Sequence, residues 1–232
     1  MRRIHDKMQR GQTRMGWLDS FHSFSFGGFN DPARMGLGPL RVVNEDFIIP
    51  GAGFAPHDHA DMDILTYVLS GRIAHEDSLG HRAELGPDEL QMMTAGSGIT
   101  HAEMNPSETE GTHLYQIWIM PDAGGGAPAY QQLALDPDLG RGALALIASG
   151  RQEAPVRLNS ATDLYRARLV AGDAVPLAVA PGRHGFAQIL SGIAEVEGER
   201  LSAGDALEFR DTAPMELIWQ TEGEMLFFDL PR

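Results

Sequence analysis

Four side chains in this sequence have the types and the spacing of a metal-binding site. His57 and His59 lie two positions apart, and His101 and Glu103 repeat that spacing further along the chain. Because successive side chains of a β-strand point to opposite faces, each pair projects from one face if its segment is extended. Strands that face each other across a barrel interior would then bring three nitrogens and one carboxylate around a single ion.

Such a donor set suits divalent Fe, Ni, Mn, Cu, Co or Zn, and it leaves coordination positions open for water, a substrate oxygen or dioxygen. The alternative, surface histidines on two unrelated loops, stays open at this point. Glycine pairs precede both segments, as expected of barrel-corner turns, and this favours the metal site. The glycines are Gly51 and Gly53, then Gly96 and Gly98.

The composition limits the classes of function that the chain can have. Its 232 residues include no cysteine, which excludes disulfides and thiolate metal sites. The 32 acidic against 18 basic side chains give a formal charge of −14, which disfavours direct binding of nucleic acid. We find no apolar window of about 18 residues and no signal-peptide core, so we expect no membrane association and a cytoplasmic location.

The elements that must position the four side chains are short strands. Apolar runs rich in β-branched and aromatic residues alternate with Gly, Pro and Asp at intervals of roughly ten residues. Examples of these runs are residues 40–44, 64–69, 113–119 and 225–230. The pattern predicts an all-β sandwich or barrel.

One strand-turn-strand plan occurs twice in the chain. The tripeptide Leu-Ser-Gly ends at Gly71 in the first copy and at Gly192 in the second, and a short hairpin follows each. This repetition indicates an internal duplication, and a Gly- and Pro-rich loop at 121–128 separates the copies. We therefore predict a metal-binding domain over residues 1–130 and a second domain over residues 131–232, which has no paired histidines and is expected to be metal-free.

The segments around the four candidate ligands resemble the signatures of a known family. Residues 51–71 and residues 91–103 are similar to the two signatures of the pirin family within the cupin superfamily, and residues 21–27 resemble its bacterial branch. The likeness extends from Trp17 to Pro231. It implies an all-β bicupin, that is, two tandem cupin barrels of the double-stranded β-helix or jelly-roll type.

The same resemblance implies a site and an activity. His57, His59, His101 and Glu103 would hold one divalent metal, with Fe(II) the expected ion. Bacterial members similar to this chain act as quercetin 2,3-dioxygenases, so a small aromatic substrate and dioxygen are the expected partners. In one departure from the pattern, Asp63 stands where general cupins carry a ligand Glu. We do not count it as a ligand and expect it to hydrogen-bond backbone or a ligand imidazole.

For other side chains near the two segments, the sequence predicts less specific roles. His75 and His81 lie on a hairpin and are expected to be solvated or to cap a turn. His113 is expected to be a hydrogen-bonded residue of the barrel wall. Residues 21–26 alternate aromatic and polar side chains, which predicts a strand that packs on the barrel. Candidates to line a pocket for a flat aromatic substrate are Phe54, Met92, Met93 and Trp118.

Three functions are compatible with this site. As an oxygenase, the protein would use the metal to lower the pKa of a flavonol hydroxyl, and Glu103 would accept the proton. As a regulator, which the family resemblance also suggests, it would bind a protein partner according to the oxidation state of its iron, without turnover. A metal-assisted isomerase acting on a sugar or keto acid would instead need cationic pocket residues. An enclosed aromatic pocket favours the oxygenase, whereas a basic patch beside the site favours the regulator.

Overall fold

The computed structural model describes residues 1–232, and almost all regular structure in it is β-strand. A single turn of 3-10 helix covers Lys7–Gln9 and is capped by Asp6, whose side chain accepts a hydrogen bond from the backbone of Met8. The structure contains no helix with the length and apolar character needed to cross a membrane. The first twelve strands are β1 (Arg2–His5), β2 (Gly11–Met15), β3 (Leu18–His22), β4 (Leu40–Ile48), β5 (Gly53–His59), β6 (Asp63–Ser70), β7 (Ile73–Asp77), β8 (Arg82–Leu85), β9 (Glu89–Thr94), β10 (Ile99–Met104), β11 (Thr112–Ile119) and β12 (Ala129–Ala134).

The remaining strands belong to the C-terminal part of the chain. They are β13 (Ala145–Ser149), β14 (Val156–Arg157), β15 (Asp163–Leu169), β16 (Ala174–Leu177), β17 (Arg183–Ser191), β18 (Ile193–Val196), β19 (Glu199–Ser202), β20 (Ala206–Arg210), β21 (Met215–Trp219) and β22 (Gly223–Pro231).

The chain divides into two compact units. The metal-ligand candidates lie in one, made of Gly11–Gly36 and Leu40–Leu135, and the other is made of Met1–Arg10, Leu37–Pro39 and Asp136–Arg232. The predicted boundary between residues 130 and 131 falls inside β12, which pairs with β9 of the first unit. The first strand of the chain, β1, pairs with β20 of the second unit. Sequence position alone did not indicate this pairing, because nothing local to residues 2–5 identifies a partner so distant in the chain.

The two units share the order of the central strands of their sheets, whereas the outer strands differ: β2 and β3 pair antiparallel, and β13 and β14 pair parallel. The first has a seven-stranded sheet, β12-β9-β6-β11-β4-β3-β2, and a four-stranded sheet, β5-β10-β7-β8. The second has β1-β20-β17-β22-β15-β13-β14 and β16-β21-β18-β19. The Leu-Ser-Gly turns occupy equivalent places, after β6 and after β17, and both Gly71 and Gly192 have positive φ, at 74° and 81°, a conformation that glycine adopts without strain. The predicted bicupin fold is confirmed.

The two units differ in what fills the space inside them. The second unit has a continuous apolar core to which inward residues of both its sheets contribute, among them Trp219, Phe209 and Phe227. The first unit has smaller apolar clusters, one around Ile48, Leu85 and Leu114 and another around Ile64, Met93 and Ile99. Between strands of its two sheets lie buried polar side chains, and these form the site described next.

Candidate metal centre

The four candidate ligands lie on two paired strands, β5 and β10. The two strands are antiparallel neighbours in which His101 lies opposite His57 and Ile99 lies opposite His59. The register then shifts by one residue between His101 and Glu103, so that Glu103 lies opposite Phe54. Such a bulge re-aims side chains locally, and it keeps the imidazoles and the carboxylate on the interior face of the sheet.

A glycine makes this close strand pairing possible. A Cβ atom added at Gly53 would lie 2.1 Å from the backbone oxygen of Glu103 and 2.6 Å from the Cα of Met104. No side chain fits at that distance, so only glycine lets β5 approach the strand that carries Glu103.

The three histidines form a compact cluster. The ring centroids of His57 and His101 are 4.5 Å apart, those of His57 and His59 are 4.8 Å apart, and those of His59 and His101 are 5.0 Å apart. One ring nitrogen from each lies within 4.8 Å of the others, which is a spacing that one cation can bridge. The Nε2 atom of His101 is buried and has no hydrogen-bond partner, as expected of a nitrogen reserved for a metal. His57 Nδ1 bonds the carbonyl of Ala55 at 2.9 Å, which leaves its Nε2 for an ion.

The electrostatic setting keeps the rings of His59 and His101 neutral. Burial, reinforced by the neighbouring His57, lowers the pKa of His59 to about 4. Burial and the rings of His57 and His59 lower the pKa of His101 to about 3. Because a metal binds the neutral imidazole, both rings have a free lone pair at neutral pH. The residues present therefore fit a divalent transition metal, which agrees with the chemistry predicted for this donor set.

Glu103 lies beside the histidine cluster and is held by two neighbours. Gln116 on β11 donates from Nε2 to both carboxylate oxygens, at 2.8 Å and 2.7 Å, and the Thr66 hydroxyl donates to Oε1 at 3.2 Å. Burial raises the pKa of Glu103 to about 7, although these hydrogen bonds oppose the rise. Its carboxylate lies within 4.8 Å of ring nitrogens of His101 and His75, whereas His57 and His59 group with His101 alone. His101 is thus common to both groups.

His75 lies inside the site, and the expectation that it is solvated at a hairpin tip was wrong. It is 3% exposed, and its Nδ1 lies 3.5 Å from Nδ1 of His101. Its Nε2 bonds Asp77 at 3.1 Å. The residue reaches the interior because His75 and Asp77 share the inward face of β7, a period-two signal that was legible in the sequence. His81 bonds the same aspartate from the hairpin, at 3.0 Å.

A cavity of about 280 Å³ opens onto the histidine cluster and Glu103. Two of the predicted pocket residues, Phe54 and Trp118, line it, whereas Met92 and Met93 are buried in the core and do not. The strand predicted over residues 21–26 is confirmed only as far as His22, where β3 ends. His22 and Phe26 both line the cavity. The complete lining is Thr13, Met15, Leu18, Ser20, His22, Phe26, Gly27, Asn44, Asp46, Phe54, His57, His59, Ile64, His101, Glu103, Gln116 and Trp118.

Two other sequence expectations concern residues outside the ligand set. Asp63 is fully buried and accepts a hydrogen bond from the hydroxyl of Thr94 at 2.9 Å. The hydroxyl of Thr94 is therefore one hydrogen-bond partner of its carboxylate. His113 bonds Glu45 at 2.9 Å and stacks on Phe47 with ring centroids 4.1 Å apart, so it is a hydrogen-bonded wall residue as predicted.

The strands of the second unit that correspond to β5 and β10 carry apolar side chains. These strands, β16 and β21, are antiparallel partners in which Val175 lies opposite Leu217 and Leu177 opposite Met215. All four side chains belong to the apolar core of that unit. The positions that hold imidazoles in one barrel are therefore core residues in the other.

Comparisons with known proteins agree with this architecture. Residues 3–119 match the family model described as pirin, and residues 146–230 match the one described as quercetinase C-terminal cupin domain. The chain is 39% identical over 223 residues to a quercetin 2,3-dioxygenase of Escherichia coli strain K12, covering 96% of each protein. It is 38% identical to a pirin-like protein of Caulobacter vibrioides, covering 98% of each.

A solved structure gives the same result for the fold. The crystal structure of the bacterial pirin YhhW from Escherichia coli in complex with nickel(II) superposes with a TM-score of 0.93 at 38% identity, and the match covers 100% of this chain and 99% of that one. The similarity to these relatives and to this solved structure extends over almost the whole chain. The chain therefore belongs to the pirin family, as the resemblance of its two histidine segments predicted.

Proposed function

We propose that this protein is a metal-dependent dioxygenase that cleaves flavonols such as quercetin. The observation that carries the proposal is that three clustered imidazoles and a buried carboxylate line one cavity with aromatic walls. A relative that is 39% identical and bears the name quercetin 2,3-dioxygenase supports the same activity.

The metal ligands in this proposal are His57, His59, His101 and Glu103. The nickel(II) complex of a 38%-identical pirin supports a divalent ion, and we propose Fe(II) as the native one. When bound, such an ion would supply Lewis acidity toward the substrate hydroxyl and a site for reaction with dioxygen. The second barrel, whose corresponding positions are apolar, would carry no metal.

Glu103 is the proposed base for the substrate hydroxyl. Without an ion, burial raises the pKa of Glu103 to about 7, and a general base works best when its pKa lies near the operating pH. Gln116 donates to both carboxylate oxygens from one amide nitrogen, so the carboxylate can change its protonation state while its orientation stays fixed. Thr66 and Gln116 hydrogen-bond Glu103, so its carboxylate stays in place whether or not an ion is bound.

The cavity walls would bind the flat ring system and exclude water. Trp118 packs edge-on against His59 with ring centroids 4.8 Å apart and against Phe26 with centroids 5.5 Å apart. Phe54 and Ile64 complete an apolar surface next to the donor atoms. No lysine or arginine lines the cavity, so a sugar phosphate or keto acid would find no cationic partner there, which argues against the isomerase alternative.

The test is reconstitution of the protein with single metals under anaerobic conditions. Loading with Fe, Ni, Mn or Cu is followed by exposure to dioxygen with a panel of flavonols, and oxygen uptake and carbon monoxide release are measured. We expect turnover with at least one metal, loss of metal binding in His101→Ala, and retention of some metal with loss of most rate in Glu103→Gln.

The matched control is Asp58→Asn, which changes an exposed carboxylate on the same strand as the two histidines. Its rate should equal that of the unmodified protein. Undiminished turnover in Glu103→Gln would refute the role of this residue as base. A protein that binds each metal yet oxidises none of the flavonols would refute the dioxygenase function and leave the redox-dependent regulator as the better account.

A further inference from the structure

One wall of the cavity presents polar groups that the proposed chemistry does not use. Strands β3 and β4 contribute Ser20 and His22, then Asn44 and Asp46, to the lining. In each pair the residues are two positions apart, so both side chains point inward. Strand pairing sets Asn44 opposite Gln116 and Asp46 opposite Leu114, which places this wall on the β11 side of the cavity, next to the residue that holds Glu103.

Most of these groups are already paired with one another. The ring of His22 bonds Asn44 Oδ1 through Nδ1 at 2.8 Å and the hydroxyl of Thr13 through Nε2 at 2.9 Å. Ser20 hydrogen-bonds the carboxyl group of Asp46. The imidazole of His22 is fully buried, so this network fixes the wall without help from a ligand.

Two acceptor atoms on the wall remain without a partner. Asp46 is 2% exposed and its Oδ1 has no hydrogen bond, and the Oε1 of Gln116, which is 6% exposed, has none either. Buried polar atoms are nearly always hydrogen-bonded, so an orphaned atom that lines a cavity is a candidate partner for a group bound there. The amide oxygen of Gln116 and the oxygen of an ionised Asp46 can only accept, so a ligand that pairs with them must donate.

The spacing of the two acceptors fits one ring system. Gln116 and Asp46 lie on adjacent strands and are offset by two residues, since Asn44 is the residue directly opposite Gln116. Such diagonal neighbours are about 7–8 Å apart at the backbone. Hydroxyl groups on separate positions of a planar aromatic ligand can reach both, while Trp118 and Phe26 supply apolar surface beside the ring.

We infer that Asp46 determines specificity by accepting a hydrogen bond from a ring hydroxyl of the aromatic ligand, so that the cavity selects polyhydroxylated aromatics over analogues that lack ring hydroxyls. The inference rests on the proposed flavonol activity, because the other end of the same ligand would lie at the metal. Burial, opposed by the hydrogen bond from Ser20, raises the pKa of Asp46 to about 7, and a hydrogen bond donated by a ligand hydroxyl would stabilise its ionised form.

The experiment measures binding apart from turnover. Calorimetry on the Fe(II)-loaded protein without oxygen compares quercetin with 3-hydroxyflavone, which keeps the hydroxyl and carbonyl next to the metal but lacks the other ring hydroxyls. We expect the unmodified protein to bind quercetin about tenfold more tightly, and Asp46→Leu to lose about tenfold toward quercetin and less than twofold toward 3-hydroxyflavone. Glu45→Gln is the control, since this neighbouring carboxylate bonds His113 outside the cavity. Its affinities should not change.

Each outcome separates this inference from the proposed activity. Equal affinity of the unmodified protein for the two ligands overturns the inference even if Asp46→Leu does not fold, and so does an equal loss for both ligands in that variant. Discriminating binding without any turnover in oxygen refutes the dioxygenase activity and leaves the role of Asp46 intact. Turnover of flavonols by a protein that binds quercetin and 3-hydroxyflavone equally tightly refutes the role of Asp46 and leaves the dioxygenase activity intact. Absence of saturable binding by either flavonol overturns both.

Discussion

Replacing Gln116 by leucine should weaken metal binding although Gln116 touches no metal. The amide donates to both oxygens of Glu103, a residue that is 3% exposed. A hydrogen bond to a charged group contributes about 1.5–3 kcal/mol, and about 1.4 kcal/mol corresponds to a factor of ten in an equilibrium constant. Loss of the amide should therefore reduce metal affinity about 10- to 100-fold, in line with the effect typical of residues that orient metal ligands.

A series of variants makes the reasoning quantitative. Thr66→Val removes the longer bond to Glu103, 3.2 Å against 2.7 Å and 2.8 Å for Gln116, and should reduce affinity by only a few fold. Gln116→Glu places a second carboxylate against the first and should reduce affinity at least as much as Gln116→Leu. Competition with a chelator of known affinity, for nickel or zinc at a fixed pH, gives the three constants.

The control is Gln188→Leu, which removes an equally buried glutamine in the second unit, where its amide donates to backbone carbonyls of Ile189 and Asp205. This variant should lose stability and keep its metal affinity. The reasoning is refuted if Gln116→Leu binds metal within a factor of two of the unmodified protein, or if Thr66→Val is impaired more severely than Gln116→Leu.

Three further predictions concern stability and strand geometry. In metal-free protein, Glu103→Gln should be more stable than the unmodified chain by about 2–3 kcal/mol at pH 8 and by little at pH 4.5. The reason is that burial raises the pKa of Glu103 from 4.5 to about 7, so that ionisation of the buried carboxyl costs stability at high pH. Urea unfolding with a chelator present measures the difference, and a difference that does not depend on pH contradicts the prediction. Arg151→Leu should cost about 2 kcal/mol at pH 7, less than for a fully enclosed pair because Arg151 is 36% exposed. Burial alone would raise the pKa of Asp163, but hydrogen bonds from Arg151 and its neighbours hold it below the ordinary value. The cost should therefore shrink below about pH 4, and a constant difference in thermal melts down to pH 3 would count against the pairing. Gly53→Ala should abolish metal binding while the fold survives, and normal metal content in that variant would show that the tight approach of its strand to Glu103 is dispensable.

The donor set was legible in the sequence because it depends on a short-range rule. The period of two along a strand places His57 with His59 and His101 with Glu103, and the glycines before each pair indicated how the strands begin. The same rule could have assigned His75 to the interior, since it shares a face with Asp77, but proximity of that hairpin to solvent suggested otherwise.

The groups that hold the donor set were not predictable in the same way. Gln116 meets Glu103 across two different sheets, and Asp46 reaches the cavity from a strand that lies more than fifty residues before the second ligand pair. Their roles depend on strand order and register, which a single sequence does not specify for non-local pairs. Nor did composition reveal that β1 belongs to the second barrel.

The pairing of β1 with β20 imposes an order of events on the nascent chain. His5 bonds Glu208 across a separation of 203 residues, so at about 5–20 residues per second β1 is synthesised roughly ten seconds or more before its partner β20. All strands of the unit with the histidine cluster lie between residues 11 and 134, so they are all synthesised within that interval. We therefore expect β1 to join its sheet only after the whole other unit has been synthesised, although β1 precedes that unit in the chain.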